Sequence, residues 1–146
     1  MATMSSVRTA TSTLPRSLTA GVIGGLAGGI VFGMMMAMMG MLPMVGMLVG
    51  VESAIVGFLV HMAISAIFGA AFGFAANWLK QSWLLALVGG AVYGVILWVV
   101  GALLLMPLIL GMNEMVFVVG QTQLLSLMGH MIFGVILGAV YLRLNR

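Results

Sequence analysis

The sequence predicts an all-α integral membrane protein of four transmembrane helices, arranged as two tandem parallel helical-hairpin repeats around a pseudo-twofold axis along the membrane normal. Three observations predict this fold. Of the 146 residues, 64% are hydrophobic and only 5% are charged, whereas a soluble domain carries about 25% charged residues. The chain contains four long apolar runs, and the last two runs repeat residue patterns found in the first two.

Each apolar run is long enough to cross a bilayer as a helix. About 20 residues at 1.5 Å per residue span a hydrocarbon core of about 30 Å, and a helix satisfies its own backbone hydrogen bonds in lipid. The predicted spans cover residues 18–42, 53–76, 82–106 and 122–142, after a short disordered tail over residues 1–17. We expect Ser17 to cap the first helix and Pro107 to end the third.

The few charged residues divide between the two ends of the predicted bundle. The five basic residues fall at the termini and between the second and third spans: Arg8, Arg16, Lys80, Arg143 and Arg146. The two acidic residues, Glu52 and Glu114, fall in the loops of the opposite side. The positive-inside rule therefore predicts a multi-pass protein of the cell (inner) membrane with both termini in the cytoplasm. The same rule explains the net charge of +3, so nucleic acid is not an expected partner.

The composition also argues against several kinds of chemistry. The chain has no cysteine, which excludes disulfides and thiolate metal sites. No pair of carboxylates and no Ser/His/Asp set falls within the predicted spans. We therefore predict that the protein is not an enzyme.

An internal repeat divides the membrane part into residues 18–80 and residues 81–146. Similar residues recur at a constant offset within each pair of spans: Gly24, Gly25 and Gly29 against Gly89, Gly90 and Gly94, and His61, Ser65 and Gly69 against His130, Gly134 and Gly138. Because each copy holds two spans, both copies run in the same direction, which places the symmetry axis along the membrane normal. The connecting segments 44–51 and 108–120 are apolar, so we expect them to fold back onto the bundle or to lie at the membrane interface.

Small residues recur at every fourth position of the spans. The rows are Gly21, Gly25, Gly29, Gly33 and Ala37; Gly57, Ser65, Gly69 and Gly73; Ala86, Gly90 and Gly94; and Ser126, Gly134 and Gly138. Small residues at this spacing let helix backbones approach closely in a membrane. His61 and His130 interrupt the second and fourth rows, with small residues four positions before and after each.

The two histidines are the candidate functional residues. Each follows by nine residues the boundary marked by Glu52 or Gln121, which places it about 14 Å deep, near the bilayer midplane. Ionisable residues at this depth are costly and are functional candidates. They could also be structural, with each neutral imidazole donating to a backbone carbonyl or to the other imidazole and holding the bundle together.

One functional interpretation is axial ligation of haem b or (bacterio)chlorophyll by His61 and His130. A flat ring pressed against a helix needs small neighbours one turn away from its ligand, and Gly57, Ser65, Ser126 and Gly134 supply them. Over these few residues the pattern resembles the His-bearing helices of b-type membrane cytochromes and of light-harvesting polypeptides. The resemblance implies that the imidazoles bind the central metal of such a macrocycle.

A second functional interpretation is transport of a proton or a soft metal ion. The chain has 16 methionines, and the pairs Met34/Met38 and Met35/Met39 have the four-residue spacing of copper-transporter helices. Thioether and imidazole ligands suit Cu(I). No acidic relay accompanies the histidines, which weakens a proton path.

These observations favour a small non-catalytic integral membrane subunit or scaffold of a larger assembly, with the lipid bilayer and either its own copies or other membrane subunits as partners. The cofactor is unknown, with the macrocycle as the candidate. The alternative is a small oligomeric transporter or channel.

Overall fold

The computed structural model describes residues 7–78 and 82–145, and the side chains from residue 14 onward within them. This part of the chain is built of the helices α1 (Val7–Met38), α2 (Leu42–Gly46), α3 (Ala54–Ala76), α4 (Trp83–Leu97), α5 (Met106–Ile109) and α6 (Gln121–Asn145). A π-helix (Trp98–Leu105) joins α4 to α5, and 3₁₀ turns lie at Met47–Val49 and Asn113–Met115. The predicted all-α class is confirmed.

Four helical stretches in the described residues are long and apolar enough to cross a membrane. They are Leu14–Met38, Ala54–Ala76, Trp83–Ile109 and Gln121–Asn145, with mean hydropathy between 1.8 and 2.4. These stretches agree with the predicted spans and are consistent with a multi-pass membrane protein.

The first helix differs from the prediction at its start. We expected a disordered tail and a cap at Ser17, but α1 begins at Val7 and Ser17 lies inside it, fully buried. Its hydroxyl donates to the Gly73 carbonyl oxygen at 2.7 Å, because helix α3 passes close at this point. A partner on another helix thus replaces the expected capping role. Lys80, Arg146 and the side chain of Arg8 lie outside the described residues.

The third span also differs from the prediction, since it does not stop at Pro107. The helix continues to Ile109 through the π-helix, in which the Met106 N–H donates to the Gly101 carbonyl five residues earlier. Proline has no N–H and leaves the carbonyl four residues before it without a helical donor. That carbonyl belongs to Leu103, and the N–H of Phe117 in the following loop donates to it at 3.0 Å.

The four long helices pack in the order α3, α1, α6, α4, each antiparallel to its neighbour. Helix α1 contacts α3 through Gly21 and Gly25, where an added Cβ would collide with the backbone of α3. Helix α4 contacts α6 in the same way through Gly90 and Gly94. The antiparallel arrangement places Arg16 and Arg143 at one end of the bundle, called here the termini end. The connections between α1 and α3 and between α4 and α6 lie at the other end, called here the loop end.

A second row of glycines holds α1 against α6. A Cβ on Gly24 would lie 2.8 Å from the Leu137 carbonyl oxygen, and one on Gly28 would lie 2.7 Å from that of Phe133. The row continues to Phe32, whose ring packs on Gly129. Helix α1 therefore carries small residues on two faces, one for each neighbouring helix.

Helices α3 and α4 meet through a tyrosine and not through glycines. The Tyr93 hydroxyl donates to the Phe68 carbonyl oxygen at 2.8 Å, and its ring lies 5.3 Å from that of Phe72. At the loop end, α2 folds back onto the start of α3 and buries Leu42 and Val45. The first connecting segment therefore packs on the bundle, one of the two placements that its apolar sequence predicts.

Candidate functional site

A cavity of about 310 Å³ lies between α1, α3, α6 and the π-helix in the loop-end half of the bundle. Most of its lining is apolar, and its polar lining residues are His61, Ser65, Thr122, Gln123, Ser126 and His130. Its volume reaches the lower end of the range of small-molecule sites, roughly 300–1,000 Å³. We call it the histidine cavity because both histidines of the chain line it.

His61 lies on α3 and is 7% exposed. Its Nε2 is 2.9 Å from the Gly29 carbonyl oxygen of α1. A carbonyl oxygen can only accept, so Nε2 carries the hydrogen and donates. In the neutral ring the Nδ1 atom is then a lone-pair acceptor.

His130 lies on α6 and has the opposite tautomer. Its Nδ1 is 2.8 Å from the Ser126 carbonyl oxygen one turn earlier on the same helix. Nδ1 therefore donates, and Nε2 carries the free lone pair. The Ser126 hydroxyl oxygen also lies 3.3 Å from Nδ1, so both serine contacts are on the N–H side of the ring.

The second nitrogen of each ring keeps accessible surface. In residues 14–78 and 82–145, no fully buried side-chain nitrogen or oxygen lacks a hydrogen-bond partner. Nδ1 of His61 and Nε2 of His130 have no partner among these residues, so neither atom is fully buried. Both histidines line the cavity, so a molecule in it would lie beside two imidazoles.

The ring of Phe32 contacts both imidazoles. Its centroid is 5.4 Å from that of His61, with an interplanar angle of 88°. It is 4.7 Å from that of His130, with an angle of 62°. Both are edge-on contacts of the kind that aromatic rings prefer. The two distances limit the separation of the imidazole centroids to at most about 10 Å, so the histidines share one site.

The structure separates the predicted neighbours of the histidines into two groups. Ser65 and Ser126 line the cavity. Gly57 instead faces the Leu42 carbonyl, and Gly134 faces the Gly90 carbonyl, so these two glycines serve helix packing.

The methionines divide in a similar way. Met34 and Met38, one of the two pairs with the copper-transporter spacing, are 61% and 81% exposed on the outer surface of α1. Met36, between them in sequence, is buried and lines the cavity, as does Met106. Within the described ranges, no three His, Cys, Asp or Glu side chains come together in a group that could hold a metal ion.

Sequence reasoning missed Phe32 and Trp98. Phe32 was detectable in principle, because it is the next step of the four-residue row Gly24, Gly28. Trp98 is buried in the π-helix, and its Nε1–H donates to the Gln123 carbonyl oxygen at 2.8 Å. No sequence pattern indicates this contact, because it joins the π-helix to α6 and the sequence did not predict a π-helix.

A second cavity of about 210 Å³ lies in the termini-end half of the bundle, between α3, α4 and α6. Phe72, Gly89 and Tyr93 line it. The hydrogen bond from Tyr93 to Phe68 crosses from α4 to α3 between the two cavities.

Comparison with protein-family models, with curated proteins and with solved structures gave no match. Fold and site together define a class only: an all-helical chain with four helices able to cross a membrane and a largely apolar internal cavity that contains two imidazoles.

Proposed function

We propose that this protein is a small non-catalytic integral membrane subunit that holds an apolar ligand in the histidine cavity. The observation that carries the proposal is the free Nε2 lone pair of His130. His130 lines a cavity of ligand size, and the Ser126 carbonyl holds the Nδ1 side of its ring. A ring held through one N–H presents its other nitrogen in a defined direction.

A haem b or (bacterio)chlorophyll macrocycle is one ligand that this nitrogen suits. Metal-bound histidines almost always donate their second ring N–H to a carbonyl, a carboxylate or water, and His130 already does so. His61 presents Nδ1 instead, and the Phe32 ring packs against both imidazoles. A macrocycle bound here would therefore take His130 as its single protein ligand.

An absorption spectrum of the protein purified in mild detergent, before and after addition of haem, tests this candidate. A Soret-type band that disappears in His130→Ala and persists in His61→Ala would support single ligation by His130. A preparation that stays colourless and does not bind added haem would exclude the macrocycle.

The charges support a placement in the cell membrane with both termini in the cytoplasm. Arg16 and Arg143 lie at the termini end, and Glu52 and Glu114 lie at the loop end. The subunit would assemble with copies of itself or with other membrane proteins.

Matching contacts in the two hairpins support the proposed repeat. Gly25 of α1 faces the Ser65 carbonyl of α3, and its counterpart Gly90 of α4 faces the Gly134 carbonyl of α6. The two hairpins differ in one respect, because α1 packs closely on α6 while the cavities separate much of α3 from α4. A pseudo-twofold axis that exchanges the two hairpins would also exchange the α1–α6 contact with the α4–α3 contact. It would therefore describe the structure within each hairpin better than the packing between the hairpins.

A small oligomeric transporter of protons or a soft metal ion is the second candidate. Two cavities toward opposite ends of the same helix pair favour it, because Tyr93 lies between them. Flux of H⁺ or Cu(I) into liposomes containing the purified protein tests it, with Tyr93→Phe as the variant that removes the hydrogen bond to Phe68. Flux equal to that of protein-free liposomes in both forms would exclude it.

A further inference from the structure

We propose that the histidine cavity binds a membrane-soluble aromatic diol of the quinol type, whose hydroxyl groups donate to the free ring nitrogens of His130 and His61. This inference rests on the proposed function, since it names the chemical class of the ligand. It concerns binding only and includes no reaction.

The first argument is the direction of the hydrogen bonds. The N–H of His61 is occupied by the Gly29 carbonyl and that of His130 by the Ser126 carbonyl. Protonation of a second ring nitrogen would place a charge in the hydrocarbon core, which is costly. Both rings therefore accept from the cavity. A hydroxyl group can donate to them, whereas a quinone carbonyl or an ether oxygen cannot.

The second argument is the distance between the two acceptors. The imidazole centroids lie within roughly 10 Å of each other because both contact Phe32. Two hydroxyl groups at opposite positions of one aromatic ring, each with a hydrogen bond of about 2.8 Å, can reach two acceptors on rings that lie within this limit. The Phe32 ring, which contacts both imidazoles, offers the diol an aromatic neighbour.

The third argument is a glycine in the part of the cavity wall that the π-helix forms. Gly101 of the π-helix lines the cavity, and a Cβ at this position would meet no atom within 4 Å. Glycine in a helix costs about 1 kcal/mol relative to alanine, and no described residue occupies the space that a Cβ of Gly101 would take. An apolar ring or tail could lie directly against this bare backbone.

The cavity fits a single metal ion poorly by comparison. No three His, Cys, Asp or Glu side chains of the described segments come together there, and the volume of about 310 Å³ is that of an organic ligand. A metal-containing macrocycle uses the same lone pair and is therefore an outcome of the test.

The test compares three probes on the full-length protein in mild detergent under anaerobic conditions: a short-tailed benzoquinol, its dimethyl ether and its quinone. Trp98 reports binding by fluorescence, because it contacts Gln123 in the cavity wall. Trp78→Phe and Trp83→Phe remove the other two tryptophans, which are exposed. We expect the quinol to bind at least about tenfold more tightly than the ether or the quinone, since sites built to bond a hydroxyl reject analogues without one.

The histidine variants then locate the site. His130→Ala should bring the quinol-to-ether ratio close to one, and His61→Ala should lower it, whereas Met34→Ala on the outer surface should leave it unchanged. The comparison of probes on the protein with both histidines needs no cavity variant, so it decides the question even where a histidine variant does not fold.

Three outcomes would overturn the inference, and they separate it from the proposed function. Equal affinity for all three probes would remove the donor requirement and leave ligand binding intact. Absence of binding by every probe, with haem also failing to bind, would overturn both proposals. A Soret-type band with added haem and no binding of the quinol would assign the lone pair to a metal centre.

Discussion

The ring of Phe32 contacts that of His130, with the two centroids 4.7 Å apart and the planes inclined by 62°. Phe32 is 4% exposed and reaches His61 on its other side. One phenyl ring on α1 thus couples the imidazole of α3 to that of α6. This contact fixes the arrangement of the site more directly than any glycine row.

Replacement of Phe32 tests this coupling. Phe32→Ala removes a buried ring and should lower the free energy of unfolding by about 3–5 kcal/mol, measured as thermal or denaturant stability in detergent. Phe74→Ala is the matched control, because Phe74 is 51% exposed. Equal losses in the two variants would mean that Phe32 does not hold the bundle together.

Two adjacent glycines of α4 test the packing of the helices. A Cβ on Gly90 would collide with the Gly134 carbonyl, whereas one on Gly89 would meet nothing within 4 Å. We expect Gly90→Leu to destabilise the protein by about 1–3 kcal/mol through overpacking and Gly89→Leu to cost much less, in thermal unfolding followed by circular dichroism. Equal tolerance of leucine at both positions would contradict the close contact of α4 with α6.

A chain of hydrogen bonds joins three helices at the termini end. Ser17 donates to the Gly73 carbonyl, so the Tyr141 hydroxyl donates to Ser17 and accepts from the Asn145 amide. Tyr141→Phe removes the hydrogen bond to the buried Ser17 hydroxyl and the one from the Asn145 amide, and the loss of the two bonds should cost about 1–3 kcal/mol. The control is Thr19→Val, whose exposed hydroxyl bonds only within its own helix. A Tyr141→Phe protein as stable as the Thr19→Val protein would argue against the chain.

Pro107 directs the loop after α5. Its missing N–H leaves the Leu103 carbonyl free to accept from Phe117, so Pro107→Ala should supply a competing helical donor. We expect hydrogen exchange of the Phe117 amide to become faster in this variant. Unchanged protection at Phe117, with exchange at its neighbours as the internal reference, would show that the loop holds its position without the proline.

Charge placement predicts the orientation in the membrane. Single cysteines introduced by Lys80→Cys and Glu114→Cys should differ in reaction with a membrane-impermeant thiol reagent on intact cells, because the positive-inside rule places position 80 in the cytoplasm. We expect labelling at position 114 only. The parent protein has no cysteine and serves as the unlabelled control. Labelling at position 80 alone would reverse the proposed topology.

The positions of the spans and of the histidines were predictable from sequence. Each membrane span is decided within its own segment, because lipid requires about 20 apolar residues and an internally bonded backbone whatever the neighbours are. Nine residues separate Glu52 from His61 and Gln121 from His130. Because a helix rises by a constant amount per residue, the equal counts predict that the two histidines lie equally far along their helices. The apolar character of the first connecting segment was enough to predict that it packs on the bundle or lies at the membrane interface.

The tertiary structure decided which face of each helix meets which neighbour. Ser17 became a buried bridge and not a cap because α3 and α6 pass beside it, and Met36 reached the cavity while Met34 and Met38 faced outward because α1 is oriented by its two glycine rows. The tautomers of His61 and His130 depend on carbonyls of α1 and α6, which no spacing along the chain reveals. Sequence alone therefore predicted where the four long helices lie along the chain, because length and apolar composition are properties of each segment separately. Orientation about the helix axes, which makes the site, arose only from contacts between helices.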